Sequence, residues 1–223
     1  MEGARLDIGR VLGLSFQNIG QWWGKALILM IAYTVIGTLV DLNLGIRGTF
    51  LANIMSFVIG VIATHAALTM RYGFNYNGKL RFAAAFGLGL LTGLAIIVGM
   101  IVLIVPGVIL SIWWAVALPA LMREDLGVSE AMERSKDLTE GNRWRVFGLI
   151  LVLFMPFILL IFAVTGLAMV FGGEGADEAL TTVMLSNLLT AGYMVLSPVC
   201  WVEAYGALAG EGGRFQELED VFA

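Results

Sequence analysis

The 223-residue chain is 59% hydrophobic and 13% charged, with a mean hydropathy of +0.90 and a formal net charge of −4. A water-facing surface needs about a quarter of its residues charged, so a soluble globular protein is excluded. A single cysteine, Cys200, excludes disulfides and cysteine-based metal sites.

The opening stretch MEGARLDIGRVLGLSFQNIGQWWG has no compact apolar core before a small-residue cleavage site, so no removed signal peptide is expected. Ile8, Val11, Leu12, Ser15, Phe16, Ile19, Trp22 and Trp23 recur at helical spacing, while Asp7, Arg10, Gln17, Asn18 and Gln21 take other faces. That pattern predicts an amphipathic helix over 5–20 lying in the membrane interface, with Trp22-Trp23 at head-group level.

Apolar runs then follow that are continuous rather than alternating, and backbone in lipid is satisfied only in helices or closed barrels. They predict an all-α bundle of six transmembrane helices over 21–40, 49–70, 83–105, 107–122, 146–171 and 179–208, with a tail over 210–223, as one membrane domain. The third and fourth form one 40-residue run from Ala83 to Met122. That is about 60 Å of helix, two crossings of roughly 30 Å, so a turn is expected at Pro106-Gly107. In the second span Asn53, Ser56, Gly60 and Thr64 make a polar and small stripe, and in the third Gly89 and Gly93 make a GxxxG pair with Gly99 beyond. Both read as surfaces for close helix packing within the bundle. Pro119, Pro156 and Pro198 interrupt three spans without any matching inverted repeat.

Eleven of the thirty charged side chains fall between Arg123 and Arg145. Within that interval Val128, Ala131, Met132, Ser135 and Leu138 share one helix face, Ser129 suits the N-cap, Lys136 the C-terminal end and Gly141 a left-handed stop. A second short amphipathic helix is expected there, packed under the bundle. Glu130, Glu133, Arg134 and Asp137 are its candidate docking residues if the protein binds a membrane partner. Arg143, Trp144 and Arg145 then re-enter the membrane as candidate contacts to lipid head groups.

With the N-terminus inside, twelve of the thirteen Lys and Arg fall on the inner side and only Arg47 outside, so both termini are expected in the cytoplasm. The last outer turn, GGEGADE, carries three acids and no base. His65 and Glu203 fall at similar depth, roughly 10 Å from the inner interface. Two arrangements suit them. They meet as an intramembrane polar pair, or Glu203 reaches interfacial water while His65 stays neutral on a backbone carbonyl.

The run LPALMREDLGVSEAMERSKDLTEGNRWRVFGLIL, with RLDIGRVLGLSF at the start and AGEGGRFQELEDVFA at the end, resembles the membrane-domain family of glycerophosphoryl diester phosphodiesterases and its YciC-type bacterial inner-membrane relatives. The resemblance implies a six-helix membrane domain, which in some members precedes a soluble phosphodiesterase barrel. Such a barrel needs about 250 residues, and roughly fourteen follow the last span here, so the enzymatic activity is not expected.

The residues themselves offer no Gly-rich phosphate loop, no HExxH and no serine with a free base, and the lone His65 sits in an apolar helix. No cofactor or metal is implied. Basic residues are interleaved with acids, which argues against nucleic acid and for anionic lipid. The expected function is a non-catalytic accessory, scaffold or assembly factor of the bacterial inner membrane. The competing class is a transporter or lipid-handling protein, which would need convergent polar groups around a midplane cavity.

Overall fold

The computed structural model describes residues 5–44, 46–73, 76, 78–172 and 180–210. Residues 173–179 and the tail beyond Gly210 lie outside them, as do the expectations placed there. Among the described residues all regular structure is helical: α1 (Ile8–Gln21), α2 (Trp23–Leu44), α3 (Ile46–Tyr72), α4 (Phe82–Val102), α5 (Ile104–Trp113), α6 (Ala117–Arg123), α7 (Val128–Thr139), α8 (Arg143–Gly172) and α9 (Leu180–Leu208). Six stretches are long and apolar enough to cross a membrane: Trp23–Leu44, Phe50–Tyr72, Phe82–Val102, Ile104–Arg123, Arg143–Phe171 and Leu180–Leu208. The chain is therefore an all-α multi-pass membrane protein.

Helix α1 starts where Asp7 accepts from the Arg10 amide at 3.1 Å. It turns Val11 and Ser15 inward and packs Ile8, Leu12 and Ile19 against the core, as the periodicity predicts. Phe16 and Trp23 point outward instead. Helices α2, α3 and α9 pack on one another, and α8 lies along α9. The α4–α5 hairpin pairs chiefly with itself, and its other neighbours include α6 and α7.

The hairpin turn comes three residues earlier than the sequence suggests, at Leu103, whose backbone is extended (φ −159°, ψ 138°). Pro106 then occupies the first turn of α5, where its missing N–H leaves no helical bond unmade. Gly107 serves the closure rather than the turn. A Cβ there would lie 2.8 Å from the Met100 amide nitrogen and 3.1 Å from the Ile96 carbonyl oxygen, so the two legs meet backbone to backbone at Gly99 and Gly107. Of the GxxxG pair, Gly89 faces Phe57 of α3, while Gly93 faces open space.

The fourth span is broken between α5 and α6. Pro119, third residue of α6, has no N–H to offer the carbonyl of Ala115; Pro156 and Pro198, expected to interrupt their spans as well, stand inside the continuous helices α8 and α9, so of the three only Pro119 accompanies a break. The buried Ser135 of α7 fills the break: its hydroxyl donates to the Trp113 carbonyl at 2.8 Å and accepts from the Val116 amide at 3.2 Å. The apolar-face residue of a charged helix thus supplies the two backbone bonds that a straight helix would have made for itself.

The core lies at one end of the molecule. Leu68, Val116, Ala120, Leu121, Leu149, Cys200 and Ala204 are fully enclosed there, with α1, α6 and α7 around them. Toward the other end of the same helices Phe50, Ile101, Val170 and Phe171 are exposed.

Candidate functional site

Glu203, in the last turns of α9, is only 3% exposed. It forms an ion pair with Arg71 at the end of α3 and accepts from Asn18 Nδ2 of α1 at 2.9 Å. A carboxylate in an apolar helix demands such partners, because an unpaired buried charge is far costlier than a paired one. Gly206 makes the pairing possible: a Cβ at that position would collide with the Arg71 guanidinium.

Of the two arrangements offered for His65 and Glu203, the pair does not form: His65 takes a backbone carbonyl, while Glu203 is held by Arg71 and Asn18 rather than by interfacial water. His65 Nε2 instead lies 3.1 Å from the Gly78 carbonyl oxygen, and its ring meets Tyr76 edge-on at 5.2 Å. Six residues separate His65 from Arg71, which turns their side chains about 120° apart around α3. Only one of them can face α9, and the permanent cation takes that place. Burial pushes the Tyr76 phenol above its ordinary pKa, partly offset by Arg123.

Beside the Arg71–Glu203 pair opens a cleft of about 790 Å³, walled by Arg5, Asp7, Arg10, Arg71, Arg145 and Glu203 together with apolar residues of α1 and α9. Among the described residues the walls carry four arginines and two carboxylates. The N-terminal segment is fixed over it by the Leu6 amide, which donates to Asn142 Oδ1 at 3.0 Å, and by the Leu6 side chain, which is wholly buried. The structure thus brings Arg145, a predicted head-group contact, together with Glu203. Arg143 stacks instead on Trp113 at 5.5 Å, and Trp144 stands 85% exposed with its ring edge on Phe147. Asn18, Arg5, Arg10 and Arg71 were not singled out as site residues by their spacing. Glu203 in an apolar run was the one local signal that a cation had to lie nearby.

On α7 the expected face is buried at Ala131 and Ser135, with Val128, Met132 and Leu138 packed against the core, and Gly141 adopts φ +79°. The N-cap is Gly127 and not Ser129, because the Glu130 carboxylate turns back to accept from the Gly127 amide at 2.7 Å. Arg134 is also engaged: its Nε donates to both Glu124 carboxylate oxygens at 2.9 and 3.0 Å, and the Tyr205 hydroxyl donates to Glu124 Oε1 at 2.7 Å. The hydrogen bond to Glu124 raises the Arg134 pKa further above its ordinary value. Of the four docking candidates, Glu133 and Asp137 are exposed, and Asp137 adds a weaker electrostatic pull on Arg134.

The α3 stripe divides. Ser56 Oγ bonds the Tyr33 hydroxyl of α2 at 2.9 Å, Thr64 donates to its own Gly60 carbonyl, and Asn53 is exposed. Ser56, Gly60 and Thr64 also line a second groove of about 290 Å³, shared with Pro119, Tyr193 and Ser197. Its walls are mostly apolar, and the adjoining broken helix presents no free amide at Val116, since Ser135 occupies it. Among the described residues no three His, Cys, Asp or Glu side chains are grouped to hold a metal ion.

No curated protein and no solved structure matches the chain. A family model described as the membrane domain of glycerophosphoryl diester phosphodiesterase matches residues 88–202, which take in most of the hairpin, the broken span, α7, α8 and most of α9. With more than half of its residues inside that match, the chain belongs to the glycerophosphoryl diester phosphodiesterase membrane-domain family.

Proposed function

We propose that the protein is a non-catalytic accessory module of a bacterial inner membrane, which holds an anionic phospholipid by its head group in the cleft beneath α1. The observation that carries this reading is the cleft's charge and position: four arginines face two carboxylates beside an amphipathic helix at the polar end of the bundle. Guanidinium groups match phosphate oxygens in a fork, and anionic head groups are the phosphates available at that depth. The Arg71 guanidinium, ion-paired with Glu203, forms the inner wall of the cleft.

The basic count orients this end, with both termini, toward the cytoplasm. There Glu133 and Asp137 of α7 present a fixed acidic edge to a membrane-protein partner. A non-catalytic role agrees with the lone histidine being held on a backbone carbonyl. Transport is the weaker reading, because the broken fourth span is sealed from within by Ser135.

Native mass spectrometry of protein released from membranes tests the proposal. The wild type should retain anionic phospholipid in preference to zwitterionic phospholipid. The triple variant Arg5→Gln, Arg10→Gln, Arg145→Gln should lose that preference while keeping its helical circular dichroism. Equal retention by the two proteins would refute head-group binding at this cleft.

A further inference from the structure

Helix α9 ends at the wall of the cleft beneath α1. Ala207 and Gly210 line that cleft, and Gly210 has a left-handed backbone (φ +73°), which turns the chain off the α9 axis there. The arginines Arg5, Arg10 and Arg145 of the same wall are exposed. Its two carboxylates both have inward work: Asp7 accepts from the Arg10 amide at the start of α1, and Glu203 holds Arg71 and Asn18. Apolar surface adjoins the guanidinium groups, with Ile8 half-buried and Leu14 exposed. The cleft therefore suits a ligand that is anionic on one side and apolar on the other.

The thirteen residues that follow Gly210 carry that pattern in their sequence, EGGRFQELEDVFA. Four acids stand against one base. Phe215, Leu218, Val221 and Phe222 recur at helical spacing, while Glu217, Glu219 and Asp220 fall on the remaining arc. An acidic, amphipathic segment is thus joined directly to the rim of an arginine-lined cleft. The tether sets its local concentration in the millimolar range, so contacts too weak to hold a free peptide suffice to fill the site. Anionic head groups at the membrane surface repel its acids, whereas the guanidinium wall attracts them.

We infer that residues 211–223 dock in this cleft as a tethered competitor, with their acids on Arg5, Arg10 and Arg145 and their apolar side on Ile8 and Leu14. An anionic head group then enters only by displacing them, so occupancy of the cleft follows the anionic lipid content of the surrounding membrane. The competition rests on the head-group reading proposed above. The docking rests on the match of charge and apolar surface alone.

Two measurements on the full chain test this. The first places spin labels on Gly13→Cys, an exposed position of α1 with open space for a Cβ, and on Gln216→Cys, and reads their separation by pulsed electron paramagnetic resonance. The fully buried Cys200 stays, with the protein lacking the added cysteines as the labelling blank. In nanodiscs of zwitterionic phospholipid a population within about 20 Å, the length of α1, is expected. Adding Glu217→Gln, Glu219→Gln and Asp220→Asn should shift it to longer and broader separations. Absence of the short population, or its persistence in the charge variant, overturns the docking. The second measurement compares anionic phospholipid retained in native mass spectrometry by the wild type and by the same charge variant without labels. The variant should retain roughly two- to tenfold more, the scale of a few exposed charge pairs. Equal, measurable retention overturns the competition. If neither protein retains anionic phospholipid while the short separation is present, the head-group reading falls and the docking stands.

Discussion

The two ends of this bundle are held together by different forces. At the charged end, leucine, valine and alanine side chains of α3, α6, α8 and α9 are enclosed to within a few per cent, and α1 and α7 shield them from water. Toward the far end the same helices expose Phe50, Leu159, Phe162, Val170 and Phe171, and contacts shrink to particular pairs. One is Asn187 of α9, which donates to Asp41 of α2 at 2.9 Å beside Gly37, where a Cβ would meet the amide oxygen at 2.8 Å. Hydrocarbon solvates leucine as well as protein does, so burial drives assembly only where water competes. The molecule accordingly concentrates its core, its ion pairs and its cleft at the polar end and leaves most of the far half to lipid.

The largest effect should come from breaking the buried charge pair. Arg71→Met strands Glu203, and a loss of roughly 3–5 kcal/mol is expected, read as a lowered midpoint of thermal unfolding in detergent. The double variant Arg71→Met, Glu203→Leu should recover most of it. No recovery would mean that Arg71 stabilises through other contacts.

A matched pair of truncations sharpens the contrast between the ends. Leu121→Ala, inside the polar-end core, should destabilise by about 2–5 kcal/mol. Leu94→Ala, half exposed on α4, should cost under about 0.5 kcal/mol. Equal losses would break the comparison.

Ser135→Ala, which opens the fourth-span break, should cost about 1–3 kcal/mol through the orphaned Val116 amide. Hydrogen exchange should quicken locally at residues 113–117 if the bond is lost as described.

The smallest effect on stability, within about 0.5 kcal/mol, is expected for Glu133→Lys with Asp137→Lys. Insertion should be unaffected, because acids contribute little to topology. Loss of a native co-purifying membrane protein would support docking on α7, and unchanged association would remove it.

Much of the fold was legible because its signals are local. Span lengths, the amphipathic faces of α1 and α7, and the Gly141 stop follow from hydropathy, period and backbone chemistry, whereas the fourth span, read as one helix over 107–122, is broken into α5 and α6. The hairpin turn was misplaced because Pro106-Gly107 reads as a turn in isolation, whereas the proline opens α5 and the glycine admits the opposite leg. The site was harder to see. Glu203 announced the need for a partner, but choosing Arg71 over His65 requires knowing which face of α3 meets α9, and that is a tertiary fact. Likewise Glu130 and Arg134 look like free surface charges until Gly127 and Glu124 are placed beside them.

The central claim is that the cleft under α1 takes an anionic head group, and hydrogen exchange in nanodiscs measures this most directly. Replacing zwitterionic phospholipid by an anionic one of the same chain length should slow exchange at residues 5–14, 71–73 and 203–210 and leave α4 beyond Gly93 unchanged. In the Arg5→Gln, Arg10→Gln, Arg145→Gln variant that difference should vanish. Protection spread evenly over all helices, or none at the cleft walls, would contradict the account.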